Sequence, residues 1–572
     1  MRTPFRSRLL TTTLIAGAAI TSLPAFAQTA DPLSQPKTGV QSNDPAAPAA
    51  GISSQESAPP AADNSTGDIV VTGTLIRNPN LVSSSPVAVV GQEEINLRQT
   101  NTAEQILRDL PGAVASIGSA VNNGNGGASF ADLRGLGNFR NVILLDGSRI
   151  VPSSTVGRVD LNNIPLALIE RVDTLTGGAA TTYGADAVSG VINFITRSDF
   201  QGIELNASEQ ITEQGDGEYT RVDLTVGGNF DDDKGNVVFS IGYQNADPVY
   251  QGERKFAVNN YTSTSGGLGG SGTTVPSRFT LGGLGTGAAR VSGNRQINPT
   301  TGALVSPVVP YNFNPFNIFQ TPFERFNIYG AGHYEVSDKI EVYTRGLFSK
   351  NTVSTIIAPS GIFGTDLNIP VSNPYLPAAA RQTFCDNNPT FTAGGVRVAQ
   401  LTAAQCTAAA AATSITDPNF RYFNVTTNRR TSEVGPRISD YVTQVFDYKA
   451  GIKIGISDSI GLDVSGAYGE SENQQTIRNY VLASRARSAA FATNATSCLP
   501  GAPGGADITA GGGCVPINLF GPEGSITPDQ ISYLTANSTS TNRASLAQAR
   551  ALLSGDLGFS SPFAEDPIGF AL

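Results

Sequence analysis

Apolar and polar side chains alternate along many short segments after residue 203. Between Val237 and Tyr243, for example, every second side chain is large and apolar. A period of two is typical of a β-strand whose two faces have different surroundings. Soluble β-sandwiches show the same alternation, so one strand alone does not identify those surroundings. The segments with this pattern predict strands at 203–212, 218–229, 236–245, 324–336, 339–350, 438–456 and 459–470.

The connections between these predicted strands are either very short or very long. The links at 230–235, 337–338 and 457–458 are short and polar, whereas those at 246–323 and 351–437 have 78 and 87 residues. Outer-membrane β-barrels have short periplasmic turns at one end and long external loops at the other. The pattern therefore predicts antiparallel transmembrane β-barrel strands, with the long loops outside the cell.

The segment 74–200 has a different pattern and predicts a small α/β domain. Residues 101–110 combine a capping residue, Thr102, with apolar side chains on one face, which predicts a helix. The dipeptide Asp146-Gly147 lies between two apolar runs. Both residue types readily take positive φ, so this dipeptide predicts a β-hairpin. The apolar run at 190–195 predicts the last strand of the domain.

The first 27 residues have the composition of an export signal. Three arginines precede a short apolar run, and Ala25-Phe26-Ala27 supplies small side chains for cleavage. The next segment, 28–67, is rich in Pro, Ala, Ser, Asn and Gln and has almost no large apolar side chains. Such a composition predicts a flexible leader, here in the periplasm. The chain is therefore expected to leave the cytoplasm.

The overall composition argues against several classes of protein. The net charge is −10, and cleavage of the export signal brings it to −13 because that signal holds three arginines and no acid. A protein this acidic is not expected to bind nucleic acid. The chain has a single histidine, which makes a Ser-His-Asp triad hard to build. No nucleophile–base arrangement is visible, so we expect neither an enzyme nor a cofactor.

The four cysteines fit an exported protein with disulfides. Cys385 and Cys406 lie in one long link, and Cys498 and Cys514 follow the last predicted strand. Four cysteines allow three pairings, and the sequential pairing closes the shortest loops, so we predict Cys385–Cys406 and Cys498–Cys514. A zinc site is the alternative, but no CxxC spacing occurs and His333 lies far away in sequence. For His333, on the polar face of its strand, we expect a structural role in the lumen or near the periplasm.

A series of short motifs covers residues 68–200. In order they are DIVVTG at 68–73, TAEQIL at 102–107, LPG at 110–112, LRGLG at 133–137, NVILLDG at 141–147, IP at 164–165, IERV at 169–172, TGGA at 176–179, YG at 183–184 and AVSGVIN at 187–193. Their order and spacing resemble the plug domain of TonB-dependent outer-membrane receptors. Beyond residue 203 the resemblance rests on barrel character alone.

The resemblance implies ligand uptake that is driven by the inner-membrane proton gradient through TonB with ExbB and ExbD. The residues that resemble the TonB box are Asp68, Ile69, Val70, Val71, Thr72 and Gly73. This β-branched stretch follows a flexible leader, so a partner can capture it as an added strand through main-chain hydrogen bonds. An ordinary first strand of the plug is the alternative interpretation.

The resemblance also implies contacts between plug and barrel, because plug arginines of the family pair with barrel carboxylates. A guanidinium group suits such pairs since it donates two parallel hydrogen bonds. Solvated lumen charges are the alternative. The matching positions are Arg134, Arg140, Glu170 and Arg171. In the Gly- and Asn-rich stretch 121–129 we predict an apical plug loop that faces the ligand with Asn122, Asn123 and Asn125.

The family barrel has about 22 strands, which leaves a lumen that a domain can plug. Residues 203–572 provide seven predicted strands. The Ala- and Leu-rich residues 544–556 predict a helix, and 569–572 lack the aromatic terminal strand of the family. We therefore expect an incomplete barrel from a shortened chain.

The implied partners are TonB with ExbB–ExbD, outer-membrane lipid, the barrel assembly machinery and a small-molecule ligand. Siderophore–iron, cobalamin, nickel chelates and saccharides remain open as ligand classes. Other functions also remain open: a non-functional receptor fragment, a passive porin, and a structural or adhesive outer-membrane protein.

Overall fold

The computed structural model of the chain describes residues 75, 87–98, 102–108, 110, 112–114, 126–177, 179–283, 290–508, 513–562 and 567–572. The predicted export signal, leader and TonB box lie outside these residues. Within the described part of the chain, every helix is too short or not apolar enough to traverse a lipid bilayer.

The first body of the structure is a five-stranded sheet with short helices, called the plug here. Its elements are β1 (Val87–Gly91), α1 (Gln92–Arg98), α2 (Ala103–Arg108), β2 (Asn141–Leu145), β3 (Ser148–Arg149), β4 (Ile169–Leu175), α3 (Ala180–Tyr183) and β5 (Gly190–Thr196), with 3-10 turns at Leu161–Asn163, Leu166–Leu168 and Ala185–Ala187. The strand order is β1-β4-β5-β2-β3. Strands β2 and β5 are parallel, and the other neighbours are antiparallel.

The helix, the hairpin and the last strand that were predicted for the plug are confirmed. Ile106 and Leu107 on α2 are 1% and 4% exposed, so the predicted apolar face packs into the core. Asp146 and Gly147 join β2 to β3 with φ angles of 48° and 70°, as a tight hairpin turn requires. Strand β5 is buried along almost its whole length because it lies between β4 and β2.

Two larger sheets follow the plug, one of long strands and one in the segments that connect them. In chain order the strands are β6 (Gly202–Gln210), β7 (Tyr219–Phe230), β8 (Gly235–Ala246), β9 (Val249–Tyr250), β10 (Arg278–Gly282), β11 (Ser292–Ile297), β12 (Leu304–Val305), β13 (Ile318–Gln320), β14 (Phe323–Ser337), β15 (Ile340–Pro359), β16 (Gly361–Pro370), β17 (Thr390–Thr392), β18 (Arg397–Val398), β19 (Arg421–Arg430), β20 (Pro436–Gly455), β21 (Ile460–Val481), β22 (Thr535–Ser560) and β23 (Pro567–Ala571).

The sheet of long strands, called the wall here, has nine strands in the order β6-β7-β8-β14-β15-β20-β21-β22-β23. All neighbours are antiparallel. The seven strands predicted from alternation are β6, β7, β8, β14, β15, β20 and β21, so that prediction is confirmed. Strand β15 continues to Pro359 and β21 to Val481, well past their predicted ends. The hydrogen-bonded ladder thus continues where the apolar alternation stops.

The two faces of the wall differ in chemistry. The face that contacts the plug, called inward, carries buried polar side chains such as Gln244, Arg345 and Asp447. The opposite face, called outward, exposes large apolar side chains on neighbouring strands. These are Ile203, Leu205, Val222, Val226, Val237, Phe239, Ile241, Phe326, Ile328, Val342, Phe348, Phe446, Tyr448, Val464 and Tyr468.

Aromatic side chains border this outward apolar surface at two levels. Toward one end of the strands, the rings of Phe230 and Tyr334 stack with centroids 5.7 Å apart. Toward the other end, the ring centroids of Tyr243 and Phe326 are 4.9 Å apart. Outward aromatic side chains continue this second row on the next strands with Phe348, Phe446, Tyr448 and Tyr468.

Residues 544–556 correct the sequence prediction, because they form part of a strand and not a helix. They lie in β22, which pairs with β21 along most of its length. Ala547 and Ala551 take outward positions, whereas Gln548 and Arg550 alternate with them inward. Alanine and leucine favour helices in isolation, but pairing along an existing strand overrides that preference.

The segments 247–322, 360–435 and 482–534 fold together into one body, called the loop module here. Its sheet has the order β12-β11-β10-β19-β17-β18, and β16 also pairs with β19. Strands β9 and β13 pair separately. The helices are α4 (Ala378–Asn387), α5 (Ala403–Ala411), α6 (Ala483–Ala490) and α7 (Pro528–Leu534), with 3-10 turns at Gln251–Glu253, Asn314–Phe316 and Ser432–Val434.

A cluster of phenylalanines joins the segments of the loop module. The ring of Phe279 lies 5.3 Å from Phe384 and 5.5 Å from Phe520, and Phe384 stacks on Phe423 at 4.3 Å. These four rings come from all three segments of the module, and all are at most 4% exposed. The long links that the sequence predicted only as loops therefore share one apolar core.

Candidate functional site

Hydrogen bonds connect the plug hairpin to the wall. The carboxylate of Asp146 accepts from the backbone N–H of Thr196 at 2.9 Å and from its hydroxyl at 3.0 Å. The same hydroxyl lies 3.0 Å from the hydroxyl of Tyr329 on β14. The hairpin turn, the end of β5 and one wall strand are thus joined in a single network.

Arg345 on β15 extends this network to a second wall strand. Its guanidinium Nη1 donates to the carbonyl of Leu145 at 2.5 Å and lies 3.2 Å from the Asp146 carboxylate. Nη2 donates to Asp447 on β20 at 2.9 Å. The side chains of Arg345 and Asp447 are 5% and 2% exposed. Loss of one partner leaves a buried charge uncompensated, which costs about 3–5 kcal/mol.

Strands β21 and β22 contact the end of the same hairpin. Gln548 on β22 donates to the carbonyl of Arg149 at 2.8 Å. On β21, a Cβ atom added to Gly469 would lie 3.0 Å from Cβ of Val151 and 2.8 Å from a carboxylate oxygen of Asp447. Glycine at this position therefore allows the hairpin to approach the wall closely. The hairpin is held by side chains from β15, β20 and β22, and the backbone of β21 lies close against it.

Apolar contacts add to these polar ones. Three inward wall side chains, Val238, Tyr329 and Leu347, belong to the same buried cluster as the plug core and are at most 2% exposed. The cluster also contains Leu145 and Phe194 from the plug sheet. Because burial of an apolar side chain contributes about 1.5–3 kcal/mol, the plug and wall stabilise each other.

A glycine turn of the plug meets the wall at a second place, called the apex contact here. Gly126 and Gly127 have φ angles of 62° and 69°. A Cβ atom on Gly126 would lie 2.9 Å from the ring of Tyr441, and one on Gly127 would clash with Val353. Asn162 fixes the turn by donating to the carbonyl of Gly127 at 2.8 Å.

Buried acids tie the apex contact to helix α2. Asp160 accepts from the backbone N–H groups of Ser129 at 2.9 Å and Asn162 at 3.0 Å. The hydroxyl of Ser129 donates to Glu104 of α2 at 3.0 Å. Burial raises the pKa of the Asp160 carboxyl above its ordinary value. The network connects the wall-facing turn with a helix near the N-terminal end of the plug.

His333 lies on the inward face of β14, beside the end of the plug. Its Nε2 lies 3.4 Å from a carboxylate oxygen of Asp199, in the link between β5 and β6. The side chain of His333 is 22% exposed. This contact joins β14 to the C-terminal end of the plug.

The four charges predicted as plug–barrel contacts make their described contacts within the plug. Arg140 donates to the carbonyl of Leu136, and its guanidinium lies 4.7 Å from the ring centroid of Phe139. Arg171 pairs with Glu170 at 3.2 Å and with Asp173 at 3.3 Å. Arg134 is exposed, with a φ of 61°.

Ion pairs of both polarities join the plug to the wall: Arg345 of the wall pairs with Asp146 of the plug, and Arg197, just after β5, pairs with Glu204 of β6 at 2.8 Å. Neither pair uses a charge that the sequence analysis selected. Sequence reasoning missed Arg345 and Asp447. The sequence does contain a signal for Arg345. Arg345 and Leu347 share one face of the predicted strand, and Phe348 lies on the other face. The alternation does not say which face turns inward.

Other predicted positions divide between described and undescribed residues. Asn122, Asn123, Asn125 and the segment 68–73 lie outside the described residues. Cys385 is bonded to Cys406 and Cys498 to Cys514, with Cα–Cα distances of 6.1 and 5.8 Å. Both disulfides lie in the loop module. The residues that the structure describes include no cluster of three or more His, Cys, Asp or Glu side chains suited to a metal ion.

Comparison with protein families identifies the first body. Residues 80–191 match the family model described as "TonB-dependent Receptor Plug Domain". The match covers β1 to the start of β5, including the hairpin and the apex contact. Receptors that carry this domain are transporters, not enzymes.

Solved structures that are similar to this chain include siderophore receptors and a ferric-catecholate import receptor. The siderophore receptor PirA from Acinetobacter baumannii is 16% identical, with a TM-score of 0.33, over 82% of this chain and 54% of that one. The ferric-catecholate import receptor Fiu from E. coli K12 is 14% identical, with a TM-score of 0.34, over 82% and 57%. PirA from Pseudomonas aeruginosa is 12% identical, with a TM-score of 0.30, over 68% and 54%. The chain thus spans little more than half the length of these receptors.

Proposed function

We propose that the chain serves energised uptake of a scarce small-molecule ligand across the outer membrane, because residues 80–191 match the model of the TonB-dependent receptor plug domain. The observation that carries the proposal is a plug fixed to the inward face of a sheet whose outward face exposes apolar side chains. TonB with ExbB and ExbD supplies the energy in this proposal.

The dimensions of the outward face support an outer-membrane location. Phe326 and Tyr334 are eight positions apart on β14, or about 26 Å along the strand, which a strand tilt of about 35–45° reduces to about 20 Å along the membrane normal. Outer-membrane barrels expose an apolar band about 25 Å tall between two girdles of aromatic residues. The side chains of Ile328, Phe239 and Ile241 lie between the two aromatic levels and are 41–47% exposed. A bilayer would cover these side chains, whereas water would leave them exposed.

We assign Asp68–Gly73 as the TonB box of this receptor. The assignment rests on its resemblance to that motif and on its position between the leader and the plug. Strand β1, the first described strand that follows it, is an edge strand of the plug sheet and pairs only with β4 among the described strands. A pull on the chain ahead of β1 would therefore act on a strand that is hydrogen-bonded to one described neighbour, β4.

The test is a deletion of residues 68–73 in the full chain. We expect the deletion to abolish capture of the periplasmic domain of TonB and to abolish energised uptake, while ligand still binds at the cell surface. Deletion of residues 45–50, six residues of the leader, is the matched control and is expected to leave capture intact. Uptake that persists without residues 68–73 would show that the assignment is wrong.

A structural or adhesive role is the second candidate. The folded loop module favours it, because a disulfide-bonded body with its own core can serve as a contact surface. Adhesion would be insensitive to deletion of residues 68–73 and sensitive to removal of the loop module. Uptake through TonB, by contrast, would be lost when residues 68–73 are deleted.

A further inference from the structure

Two rows of inward side chains cross β20, β21 and β22 on the side of the wall away from the periplasmic turns. Tyr441, Gln475 and Ser540 are direct cross-strand partners in one row. Thr443, Asn473 and Asn542 are partners in the next. We call these six side chains the polar ladder. None of the six carries a charge.

The polar ladder lies directly beyond the plug. Asp447, the wall carboxylate that accepts from Arg345 beside the plug hairpin, is four residues from Thr443 on β20, or about 13 Å along the strand. Tyr441 is also the ring against which the plug glycine Gly126 packs. A molecule on the ladder would therefore touch the wall and lie against the apex contact.

The ladder is accessible and has free hydrogen-bonding capacity. Ser540 and Asn542 are exposed, and Tyr441, Asn473 and Gln475 are half-buried. Gln475 donates to the hydroxyl of Tyr441 at 2.9 Å, and Asn473 donates to the hydroxyl of Thr443 at 2.7 Å. Each bond uses one amide N–H, so, as far as the described residues go, the amide carbonyl and the second N–H stay available to a ligand.

Charges at the same height are on the other face of these strands. Glu472 and Arg543 point outward and form an ion pair at 2.6 Å. Gln474, the neighbour of Gln475 in the chain, also points outward. At the height of these two rows, the three strands thus separate charged side chains, outward, from hydroxyl and amide side chains, inward.

Resting on the proposed function, we infer that the polar ladder binds a neutral saccharide. Hydroxyl and amide groups both donate and accept hydrogen bonds, as sugar hydroxyls do, and the ring of Tyr441 offers an apolar surface for the faces of sugar rings. An anionic chelate would find no cation on the ladder, and a charge that is removed from water without a partner is strongly unfavourable.

The test measures binding to the full chain in detergent micelles by titration calorimetry. The probes are maltohexaose, cellohexaose and chitohexaose as neutral saccharides and a ferric catecholate as the anionic chelate. We expect at least one hexasaccharide to bind and the ferric catecholate not to bind. Gln475→Ala should weaken saccharide binding roughly threefold to tenfold, because one hydrogen bond is lost.

Gln474→Ala is the matched control, since the same residue type one position away faces outward. Its affinity should stay within about twofold of the unchanged chain. Asn542→Ala, at an exposed position that does not hold the fold together, should reproduce the loss seen for Gln475→Ala, and Thr541→Ala is its outward control. Equal effects of the inward and outward substitutions would overturn the inference.

The outcomes separate this inference from the proposed function. Binding of the ferric catecholate alone, or no binding of any hexasaccharide at millimolar concentration, overturns the saccharide inference and leaves energised uptake as proposed. Saccharide binding that depends on Gln475, combined with uptake that does not need residues 68–73, supports the ladder and overturns the uptake mechanism.

Discussion

The wall and the loop module follow opposite rules for their apolar side chains. In the wall, Phe239 points away from the plug and is 47% exposed. In the loop module, Phe423 is 0% exposed and stacks within a phenylalanine cluster. The same residue type therefore marks the outside of one body and the inside of the other. Only the loop module, among these two, contains cysteines.

The difference teaches that each body is adapted to its own solvent. The module buries apolar surface as a water-soluble domain does, because apolar groups avoid water. The outward face of the wall exposes such groups because hydrocarbon, in the proposed membrane location, is as apolar as they are. Substitutions of the same kind should therefore have different effects in the two bodies.

The largest expected effect is a cavity in the loop module. Phe423→Ala should lower the free energy of unfolding of the module by about 3–5 kcal/mol, because it removes a fully buried ring. Urea titration of the full chain in micelles, followed by circular dichroism, measures this change. Phe256→Ala is the control, since that ring is 76% exposed. Equal destabilisation by both variants would contradict the role of the cluster.

A comparable effect is expected where the wall holds the plug. Arg345→Leu should destabilise the docked plug by about 3–5 kcal/mol, because Asp447 keeps a buried charge without its partner. The urea concentration at which protease first cleaves the plug measures the change. Arg543→Leu removes an exposed pair and should cost only about 0.2–1 kcal/mol. Similar losses of stability in both variants would contradict the role of Arg345 in holding the plug hairpin.

A charge on the outward face tests the membrane side of the comparison. Phe239→Arg should destabilise the wall in lipid vesicles by about 2–4 kcal/mol, because arginine is unfavourable near the bilayer midplane. Val396→Arg places the same charge in the loop module at a side chain that is 64% exposed. In water that substitution should stay within about 0.5 kcal/mol. If Phe239→Arg is equally neutral, lipid does not cover the outward face.

The disulfides should matter only for the loop module. Replacing both Cys385 and Cys406 by serine removes a link that spans 21 residues, which should destabilise the module by about 2–4 kcal/mol. Protease sensitivity should rise within 360–435 and stay unchanged in the plug. Maleimide labelling of the unreduced, exported chain should find no free thiol. Four labelled thiols would contradict both disulfides.

The smallest expected effect comes from an acid-sensitive ion pair between the wall and the loop module. Arg254 donates to both carboxylate oxygens of Asp216, at 2.5 and 2.9 Å, and holds the pKa of that carboxyl at about 2, below its ordinary 3.8. The ion pair is therefore complete above the ordinary pKa and is lost as the pH falls through about 2. Proteolysis of the link 211–218 between pH 5 and about 2 measures the loss. Asp216→Asn should remove the pH dependence.

Local elements of the wall and of the plug were predictable where a pattern depends on near neighbours in the chain. The alternation from Val237 to Tyr243 identified β8, and Asp146-Gly147 identified the hairpin. Residues 544–556 show the limit of this approach. Their alanines favour a helix in isolation, and only the presence of β21 beside them makes a strand.

The site was less predictable than the fold. Arg134 and Arg171 were selected because they match plug motifs, yet a buried ion pair between wall and plug uses Arg345 and Asp146. These two residues are 199 positions apart in sequence. A local sequence pattern cannot predict a contact between residues so far apart in the chain, because the contact exists only when the plug lies against the folded wall.

The sequence by itself determined the period of the wall strands, the turn of the hairpin, the motifs of the plug and the sequential order of the cysteines. Each depends on backbone preferences and on residues that lie close together in the chain. Only the tertiary structure decided which face of the wall turns inward, that the long links share one core, and that uncharged side chains gather beyond the plug. The physical reason is that burial and pairing act between segments that are far apart in sequence, and they assign each alternating side chain to the plug, to water or to lipid.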